Sequence, residues 1–384
     1  MPSSLTALAA RHRETLERFT DADLPSLRAA LSTVSDPRKP RGVRYGFVDL
    51  LLVCVAAVLS GAKSLTMIAE WAADAQDRKV LSDWKATPSV ATLHRIVSAT
   101  DPVALDTAVN GWVQQWAQTG TGEGVQAVAV DGKEVRGAKH GAGTRVFLMA
   151  ALDHHTGTVL AQEPVGDKTN EIPHLPLLLD KLQDLQNTVI TADALHTLPQ
   201  QAAAITARGG HYLFTVKTNA RALHAQLSSV SWARHPRQYH AREKAHGRTS
   251  SWEATVLPAP ARITFPAAAQ IMRLQRGRTD HDTGEGTGEI VYAITSLPPG
   301  TATPAQLAGL LRGHWCIENR LHWVRDTAYA EDTSQIRTGT AAHVMAGLRN
   351  LAISIHRLAG HTNITAALRH YARDPKRAAE LTGL

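Results

Sequence analysis

Acidic residues follow two short apolar segments of this chain, at points where a buried strand is expected to end. Asp131 comes directly after Val125 to Val130 and precedes a glycine, and Asp193 comes directly after Val189 to Ala192. The glycine would let a substrate backbone or a metal ion approach closely. If the two strands are neighbours in one sheet, their ends bring both carboxylates together. Each aspartate, taken alone, is also typical of an ordinary turn.

A third candidate carboxylate, Glu318, lies on a helix predicted to start at a capping box of Thr303 and Gln306 and to run to about Arg325. At about 100° per residue, this helix has a polar face beside an apolar stripe. The polar face consists of His314, Glu318, His322 and Arg325, and the stripe of Leu310, Ile317, Leu321 and Val324. The stripe is expected to pack on the sheet, so that the polar face borders the site. A salt-bridged surface face is the alternative.

Three converging carboxylates suit the hydrolysis or transfer of a phosphodiester. Two divalent ions about 4 Å apart can neutralise the phosphate, activate water or a 3′-hydroxyl, and stabilise the leaving oxygen. Hard oxygen ligands select Mg²⁺ or Mn²⁺ over zinc. His314 and His322 flank Glu318, but their spacing lacks the HExxH register of a zinc site. We therefore expect Mg²⁺ or Mn²⁺, two ions per active site.

The elements that must position these residues change character along the chain. Residues 1–120 show helical periodicity, whereas from Val125 short strands form a meander and then alternate with helices. Predicted strands are Val125–Val130, Val146–Leu152, Thr158–Pro164, Thr188–Ala192 and Tyr212–Val216, and predicted helices are Ile172–Leu185 and Leu198–Ala207. This order describes a mixed α/β sheet covered by helices and fits a ribonuclease-H-like core.

Four segments follow from this pattern. Residues 1–120 are predicted to form an all-helical domain that binds DNA, and 121–227 the first part of the catalytic core. Residues 228–298 are predicted to be a β-rich insertion, with strands at Thr249–Leu257 and Gln270–Leu274 and a mobile loop at Arg278–Glu289. Residues 299–384 complete the core with the helix of Glu318 and a helix at Ala341–Leu358.

Charge favours a polyanionic partner. Lys and Arg number 41 against 34 Asp and Glu, and the pI is about 9.5, although an ordinary basic enzyme shares these values. The basic residues cluster in three stretches, which suits a protein that wraps a nucleic acid. The stretches are Arg38, Lys39, Arg41 and Arg44; Arg234, Arg237, Arg242, Lys244 and Arg248; and Arg273, Arg276 and Arg278.

A helix-turn-helix is one interpretation of the N-terminal helices. Segments Leu65–Ala72 and Val90–Val97 have helical spacing, and the second would offer Arg95 to DNA. A plain helical bundle is equally compatible with the pattern. Trp315 and Trp323 lie on a different face of the Glu318 helix, and packing is favoured over base stacking for both.

Other patterns exclude classes of protein. The apolar run Phe47 to Leu59 contains Asp49 and is too short for a membrane span, so we expect a buried helix and no membrane partner. Cys54 and Cys316 lack the spacing of a zinc site, and neither a disulfide nor a structural zinc is predicted. The N-terminal residues lack the pattern of a secretory signal, so a cytoplasmic location is expected.

Motifs along the whole chain resemble, in order, those of the insertion-sequence DDE transposases of the ISAs type, whose relatives include the H-repeat-associated proteins. They are AVDGKEVRGA (129–138), DKTNEIP (167–173), TADALHT (191–197), FTVKTN (214–219), HGR (246–248), RGHWCIENRLHW (312–323) and EDTSQIRTG (331–339). Residues 35–72 also resemble the helical segment ahead of the catalytic core in that family.

The resemblance implies a ribonuclease-H-like catalytic domain with a β-rich insertion, and Asp131, Asp193 and Glu318 as its catalytic and metal-binding triad. It implies metal-dependent cleavage of transposon-end DNA, followed by transfer of the 3′-hydroxyl strand into target DNA. The partner would be double-stranded DNA, and synapsis of two ends would require a homodimer or a larger assembly. Glu171 could be mistaken for the third ligand, but its context does not match that of Glu318.

Several basic residues are assigned to DNA contacts. In the matching motifs these are Lys133, Lys168, Asn170, His196 and Lys217, with Lys133 and His196 foremost. Related transposases carry a Tyr, an Arg and a Lys around the glutamate, where this chain has Leu311, His314 and Arg325. His314, His322 and Arg325 are assigned phosphate contacts, together with Arg38, Arg41, Arg44, Arg95 and Arg248 from the basic stretches and the N-terminal helices.

Two alternative functions remain open at this point. One is a domesticated DDE-type DNA endonuclease that only cleaves. The other is a non-catalytic DNA-binding protein that retains the transposase fold.

Overall fold

The structure, a computed structural model, describes residues 26–41, 43–82, 84–118, 125–138, 146–166, 171–245 and 247–384. Two residues assigned to DNA contacts, Lys168 and Asn170, lie outside the described residues. The chain forms two compact units. The first comprises the described residues within 1–122, 132–182 and 317–384, and the second comprises those within 123–131 and 183–316.

A mixed sheet provides the frame of the molecule. Its strands are β1 (Gln126–Glu134), β2 (Phe147–Asp153), β3 (Val159–Val165), β4 (Thr188–Ala192), β5 (His211–Val216), β6 (Tyr239–Ala245), β7 (Arg248–Pro258), β8 (Gln270–Asp280) and β9 (Gly286–Thr295). Over the described residues these nine strands form one sheet in the order β3-β2-β1-β4-β5-β9-β8-β7-β6. Strands β1, β4 and β5 run parallel, whereas β5 to β9 pair antiparallel.

The central strands form where the sequence is continuously apolar or β-branched. All five residues of β4, Thr-Val-Ile-Thr-Ala, are buried, as are Ala127 to Val130 of β1. Continuous burial is typical of parallel strands, whose two faces are both covered. The five predicted strands of the first part of the core are confirmed. The two predicted strands further along the chain are confirmed as well, although β8 extends well beyond Leu274.

The glycine-rich segment Arg278–Glu289 is not a loop throughout, contrary to the prediction. β8 continues to Asp280 and β9 begins at Gly286, so that Arg278 pairs with Thr287 and Thr279 with Gly286. Only residues 281–285 form the connection. Antiparallel pairing with a long neighbouring strand supplies the backbone hydrogen bonds that the polar composition alone does not predict.

Helices build most of the first unit. They are α1 (Leu27–Leu31), α2 (Phe47–Leu59), α3 (Leu65–Asp77), α4 (Val90–Ala99), α5 (Pro102–Gln118), α6 (Leu175–Leu179) and, after the site helix, α11 (Ala341–Leu358), α12 (Ile364–Ala372) and α13 (Pro375–Thr382). The apolar run from Phe47 to Leu59 forms a buried helix, as predicted. The second unit contains α7 (Pro199–Thr206), α8 (Arg221–Ser228) and α9 (Pro304–Gly313). Among the described helices, none has the length and apolar character to cross a membrane.

Two predictions about helices are wrong, one about the length of a helix and one about a helix-turn-helix motif. The helix expected over Ile172–Leu185 is only the short α6, because residues 172–174 form a 3₁₀ turn and further turns follow from Asp180. Residues 78–89 separate α3 from α4, whereas a helix-turn-helix has a turn of about 3–4 residues. The helix-turn-helix interpretation of these helices is therefore wrong.

Candidate metal centre

Asp131 and Asp193 directly follow the paired part of the parallel strands β1 and β4. The last pair in the β1–β4 ladder joins Val130 to Ala192, and each aspartate is the next residue along its strand. The sequence predicts that the strand ends at Val130, before Asp131. β1 instead continues to Glu134, so Asp131 lies within the strand. Parallel strands bring their carboxyl ends to one edge of a sheet, which is the expected position of a ligand site.

Asp193 begins a short 3₁₀ turn, Ala194–His196, and remains exposed. Its Oδ1 accepts the N–H of Leu195 at 2.8 Å, which fixes the orientation of the carboxylate. His196, at the end of the turn, is only 1% exposed. The prediction that His196 contacts DNA is therefore wrong, because a buried ring has no surface to offer to a phosphate.

The predicted helix of Glu318 starts as expected but is not regular. Thr303 and Gln306 form the capping box of α9. The chain then turns at His314 and Trp315, continues as a π-helix over Glu318–His322, and returns to α-helix in α10 (Trp323–Thr327). Such π-turns occur frequently at functional sites. The predicted apolar stripe is buried at Ile317, Leu321 and Val324, and half-buried at Leu310.

Within the described residues, Asp131, Glu318 and His322 form the one cluster whose ligand atoms could hold a metal ion. One ligand atom from each side chain lies within 4.8 Å of the other two. Two carboxylates and an imidazole are a donor set that fits a divalent cation. Asp193 is not a member of this cluster. His322 is 3% exposed and belongs to the cluster, which places it beside the predicted catalytic residues; its contact with DNA stays a prediction.

Glu318 is the exposed member of the cluster and is held as a carboxylate. Its Oε2 lies 3.2 Å from Nδ1 of His322. This hydrogen bond lowers the pKa of Glu318, and the charges of His322 and Lys133 lower it further against the opposing effect of burial. An ionised carboxylate is the state that a cation requires.

The glycine after Asp131 does not leave open space. A Cβ placed on Gly132 would collide with the ring of Phe147 and lie 2.6 Å from the carboxyl group of Glu171. The expectation that this glycine admits substrate or metal is therefore wrong, because two side chains already occupy the space. Gly132 instead lets Glu171 approach the strand that carries Asp131.

Lys133 is engaged by carboxylates rather than free to reach DNA. Its Nζ lies 2.7 Å from Oδ2 of Asp326 and 3.6 Å from Oδ1 of Asp332, and its side chain is mostly buried. Burial raises the pKa of Asp326, the charges of Asp332 and Glu331 raise it further, and Lys133 opposes them. The charge of Lys133 is thus compensated within the fold, and its contact with DNA stays a prediction.

Arg325 is buried completely, and its predicted phosphate contact is wrong. Its Nε donates to both oxygens of Glu331, at 2.9 and 3.1 Å, and its Nη2 lies 2.7 Å from Oε1 in an ion pair. Arg349 donates to the second oxygen of the same carboxylate at 2.9 Å, and all three side chains are at most 1% exposed. Local sequence patterns do not reveal this group, because its third member, Arg349, comes from another helix, α11.

For the remaining basic residues, contact with DNA stays a prediction. Arg41, Arg44, Arg95 and Lys217 are exposed, and Arg248 and His314 are half-buried. Arg38 pairs with Asp36 at 2.8 Å, and Nδ1 of His314 lies 3.4 Å from the hydroxyl of Thr191. His343 forms a buried pair with Asp106 at 2.7 Å.

The two tryptophans of the Glu318 helix do not pack in the interior. Trp315 is 61% exposed and Trp323 is 58% exposed. The favoured packing interpretation is therefore wrong for both residues.

Comparisons with known proteins agree with the motifs. A family model described as Transposase DDE domain matches residues 123–355, and one described as DDE_Tnp_1-associated matches residues 28–113. The chain is 28% identical over 353 residues to "Putative transposase YncI" of Escherichia coli O157:H7, covering 87% of this chain and 88% of that protein. It is also 28% identical over 350 residues to "H repeat-associated putative transposase YhhI" of Escherichia coli strain K12, covering 87% and 90%. These matches confirm the resemblance.

A comparison with solved structures finds the piggyBac transposase in its synaptic complex with hairpin DNA, at 12% identity and a TM-score of 0.42. The match covers 94% of this chain and 79% of that one. A likeness of this size does not show a common fold, so the ribonuclease-H-like assignment stays a prediction.

Proposed function

We propose that this chain, which belongs to the DDE transposase family, uses Asp131, Asp193 and Glu318 to cleave transposon-end DNA and to direct the freed 3′-hydroxyl at target DNA. The observation that carries the proposal is the cluster of Asp131, Glu318 and His322, which could hold a cation. Asp193 is included because it neighbours Asp131 in the parallel ladder and is exposed. A meander of β1 to β3 followed by parallel β4 and β5 supports a ribonuclease-H-like core.

The carboxylates would hold Mg²⁺ or Mn²⁺, because hard oxygen donors favour these ions. Two ions would be held by Asp131, Asp193 and Glu318 in this proposal. When bound, such ions neutralise the phosphate and activate the attacking water or 3′-hydroxyl.

The side chains around the triad have supporting roles in this proposal. His322, with its proton on Nδ1, donates to Glu318 and orients its carboxylate. The Leu195 N–H orients Asp193 in the same way, and this carboxylate retains capacity for a further partner. Lys133 holds Asp326 and Asp332, so that these acids do not add uncompensated negative charge next to the site.

Double-stranded DNA is the proposed substrate, both as transposon end and as target. Exposed arginines and lysines at Arg41, Arg44, Arg95 and Lys217 supply phosphate contacts in this proposal. Arg38, Arg248 and His314 are retained as weaker candidates. Synapsis of two ends would bring at least two copies of the chain together.

The test is a cleavage and joining assay with a labelled duplex made from the inverted repeats that flank the gene. In Mg²⁺ we expect nicked ends and strand-transfer products, and in EDTA neither. Asp131→Asn, Asp193→Asn and Glu318→Gln should each lose both products while remaining folded by circular dichroism. If His322→Phe abolishes cleavage and Asp193→Asn does not, His322 rather than Asp193 supplies the third ligand.

The same assay separates the alternatives. Nicks without joined products in the unaltered protein would indicate a domesticated endonuclease. Identical products from Asp131→Asn and the unaltered protein would indicate a DNA-binding protein whose preparations contain a foreign nuclease.

A further inference from the structure

A cleft of about 550 Å³ lies in the first unit, on a part of the Glu318 helix that the metal cluster does not use. It is bordered by residues 319–328, by the end of α11 and by the first turn of α12. Val324, Ala328 and Ile364 are buried beneath it. The side chains that give it chemical character are Arg320, Trp323, Arg357, Asn363 and Arg369.

Three guanidinium groups line this cleft without a carboxylate partner in the described part of the chain. Arg320 donates to backbone carbonyls of residues 154–156 at 2.7 to 3.2 Å, and Arg357 donates to those of residues 361–362 at 2.6 to 3.1 Å. Carbonyl groups orient the two cations but do not neutralise them. Arg320 and Arg357 are half-buried, and Arg369 is exposed at the rim.

None of these arginines has a carboxylate partner among the described residues, and partial burial of Arg320 and Arg357 makes an unpaired positive charge costly. Burial and, to a smaller extent, the neighbouring charge of Arg320 together lower the pKa of Arg357 to about 10. Arg357 nevertheless stays protonated at neutral pH. An anion bound in the cleft would supply the missing negative charge.

Trp323 adds an open aromatic face beside these cations. It is 58% exposed, and no cation of the described residues lies over its ring. Trp252 differs, because the guanidinium of Arg312 covers it at 3.7 Å. An exposed aromatic ring next to a cationic groove is the combination that binds single-stranded nucleic acid, since the ring stacks on a base and the cations hold the phosphate.

We propose that this cleft binds an unpaired nucleotide of a DNA strand, with the base against Trp323 and the phosphate beside Arg320, Arg357 and Arg369. A base inside a duplex is stacked on both faces and cannot cover the ring, so the cleft selects an unpaired base. The proposal rests on the proposed function only in taking DNA as the substrate.

The test measures binding of a fluorescent single strand of about 10 thymidines, a length within known site sizes, and of a blunt duplex hairpin. All measurements are made in EDTA, where cleavage does not occur. Trp323→Ala should weaken binding of the single strand by about fivefold or more, and Trp323→Phe should retain most of the affinity. Binding of the duplex should change less.

Arg369→Ala removes an exposed cation, so it should not perturb the fold. The logarithm of the association constant for the single strand falls linearly with the logarithm of the salt concentration. Arg369→Ala should reduce the magnitude of this slope by about 0.7, because one phosphate contact is lost. Arg373→Ala and Lys376→Ala are the matched controls, because both side chains are exposed cations and neither lines the cleft. Both controls should bind as the unaltered protein does.

Unchanged single-strand affinity in Trp323→Ala and Arg369→Ala would overturn the proposal. So would conversion of a dimer to a monomer by Trp323→Ala without a change in DNA binding, since the surface would then contact a second copy of the chain. Failure of the proposed function is separate, because it shows as absent cleavage in Mg²⁺ while binding in EDTA is unaffected.

Discussion

Glu318 and Glu331 are two carboxylates of the same unit that serve opposite purposes. Burial alone would raise the pKa of Glu331, but the charges and hydrogen bonds of Arg325 and Arg349 lower it to about 2. The pKa of Glu318 is lowered chiefly by one hydrogen bond from His322, at a side chain that is half exposed. Both groups are ionised at neutral pH, yet for different reasons.

The difference lies in what each carboxylate can still bind. Both oxygens of Glu331 accept hydrogen bonds from guanidinium groups, and the side chain has no contact with solvent. Glu318 has His322 at Oε2 and remains open on its exposed side. A carboxylate whose partners are complete stabilises the fold, whereas one with free capacity can coordinate a cation.

The largest expected effect comes from Glu331→Gln, which leaves two buried guanidinium groups without their counter-charge. We expect a loss of about 3–5 kcal/mol in the free energy of unfolding, measured by urea denaturation. Glu380→Gln is the control, because Glu380 forms an exposed i,i+4 pair with Lys376 at 3.8 Å and should change stability by less than about 0.5 kcal/mol. Equal stability of the two variants would remove the contrast between the carboxylates.

Glu318→Gln should lower the rate of DNA cleavage by more than about 100-fold. Loss of a residue that only orients a metal ligand typically lowers activity by about 10- to 100-fold, so a larger loss indicates a direct ligand. The midpoint of urea unfolding should hardly move, because the side chain is half exposed. Glu171→Gln is the matched comparison, since Glu171 lies beside Gly132 but outside the cluster. If Glu171→Gln abolishes cleavage and Glu318→Gln does not, the assignment of Glu318 is wrong.

His322→Phe keeps the size of a ring and removes the hydrogen bond to Glu318. We expect cleavage to fall by about 10- to 100-fold and metal affinity to fall with it. Without this bond the pKa of Glu318 rises toward its ordinary value, so the acid limb of the pH–rate profile should move to higher pH. An acid limb at the same pH as in the unaltered protein would contradict the orienting role.

The smallest effect concerns stability in acid. Because the pKa of Glu331 is lowered from 4.5 to about 2, its contribution is complete above about pH 4.5 and is lost as the pH falls toward 2. Between about pH 5 and pH 3 this amounts to at most about 2 kcal/mol. The free energy of unfolding of Glu331→Gln should vary less over this range than that of Glu318→Gln; equal slopes would rule out Glu331 as the source.

Much of the fold could be predicted from local patterns. The bounds of β4 at Thr188–Ala192, of α11 at Ala341–Leu358 and the capping box at Thr303 agree with the sequence analysis. The sequence also indicated that Asp131 and Asp193 are neighbours, because each aspartate comes directly after an apolar, strand-forming segment. Local patterns failed where strand pairing decides the structure. The glycines of Arg278–Glu289 indicate a loop, but most of this segment pairs as the ends of β8 and β9.

The roles of individual charged residues could not be predicted in the same way. Lys133, His196, His322 and Arg325 all lie in motifs that suggest contact with DNA, but the fold buries each of them or pairs it internally. The π-turn at Glu318–His322 also changes which side chains share a face, so the regular helical wheel misplaced Arg325.

By itself, the sequence determined the types and order of most elements, the family of the chain and the acids at the strand ends. These depend on periodicities of about 2 and 3.6 residues and on short motifs, which neighbouring residues alone define. Only the tertiary structure decided which charges are compensated and which stay open. Lys133 pairs with Asp326, 193 residues further along the chain, and Glu331 is enclosed because the fold brings α10 and α11 together around it.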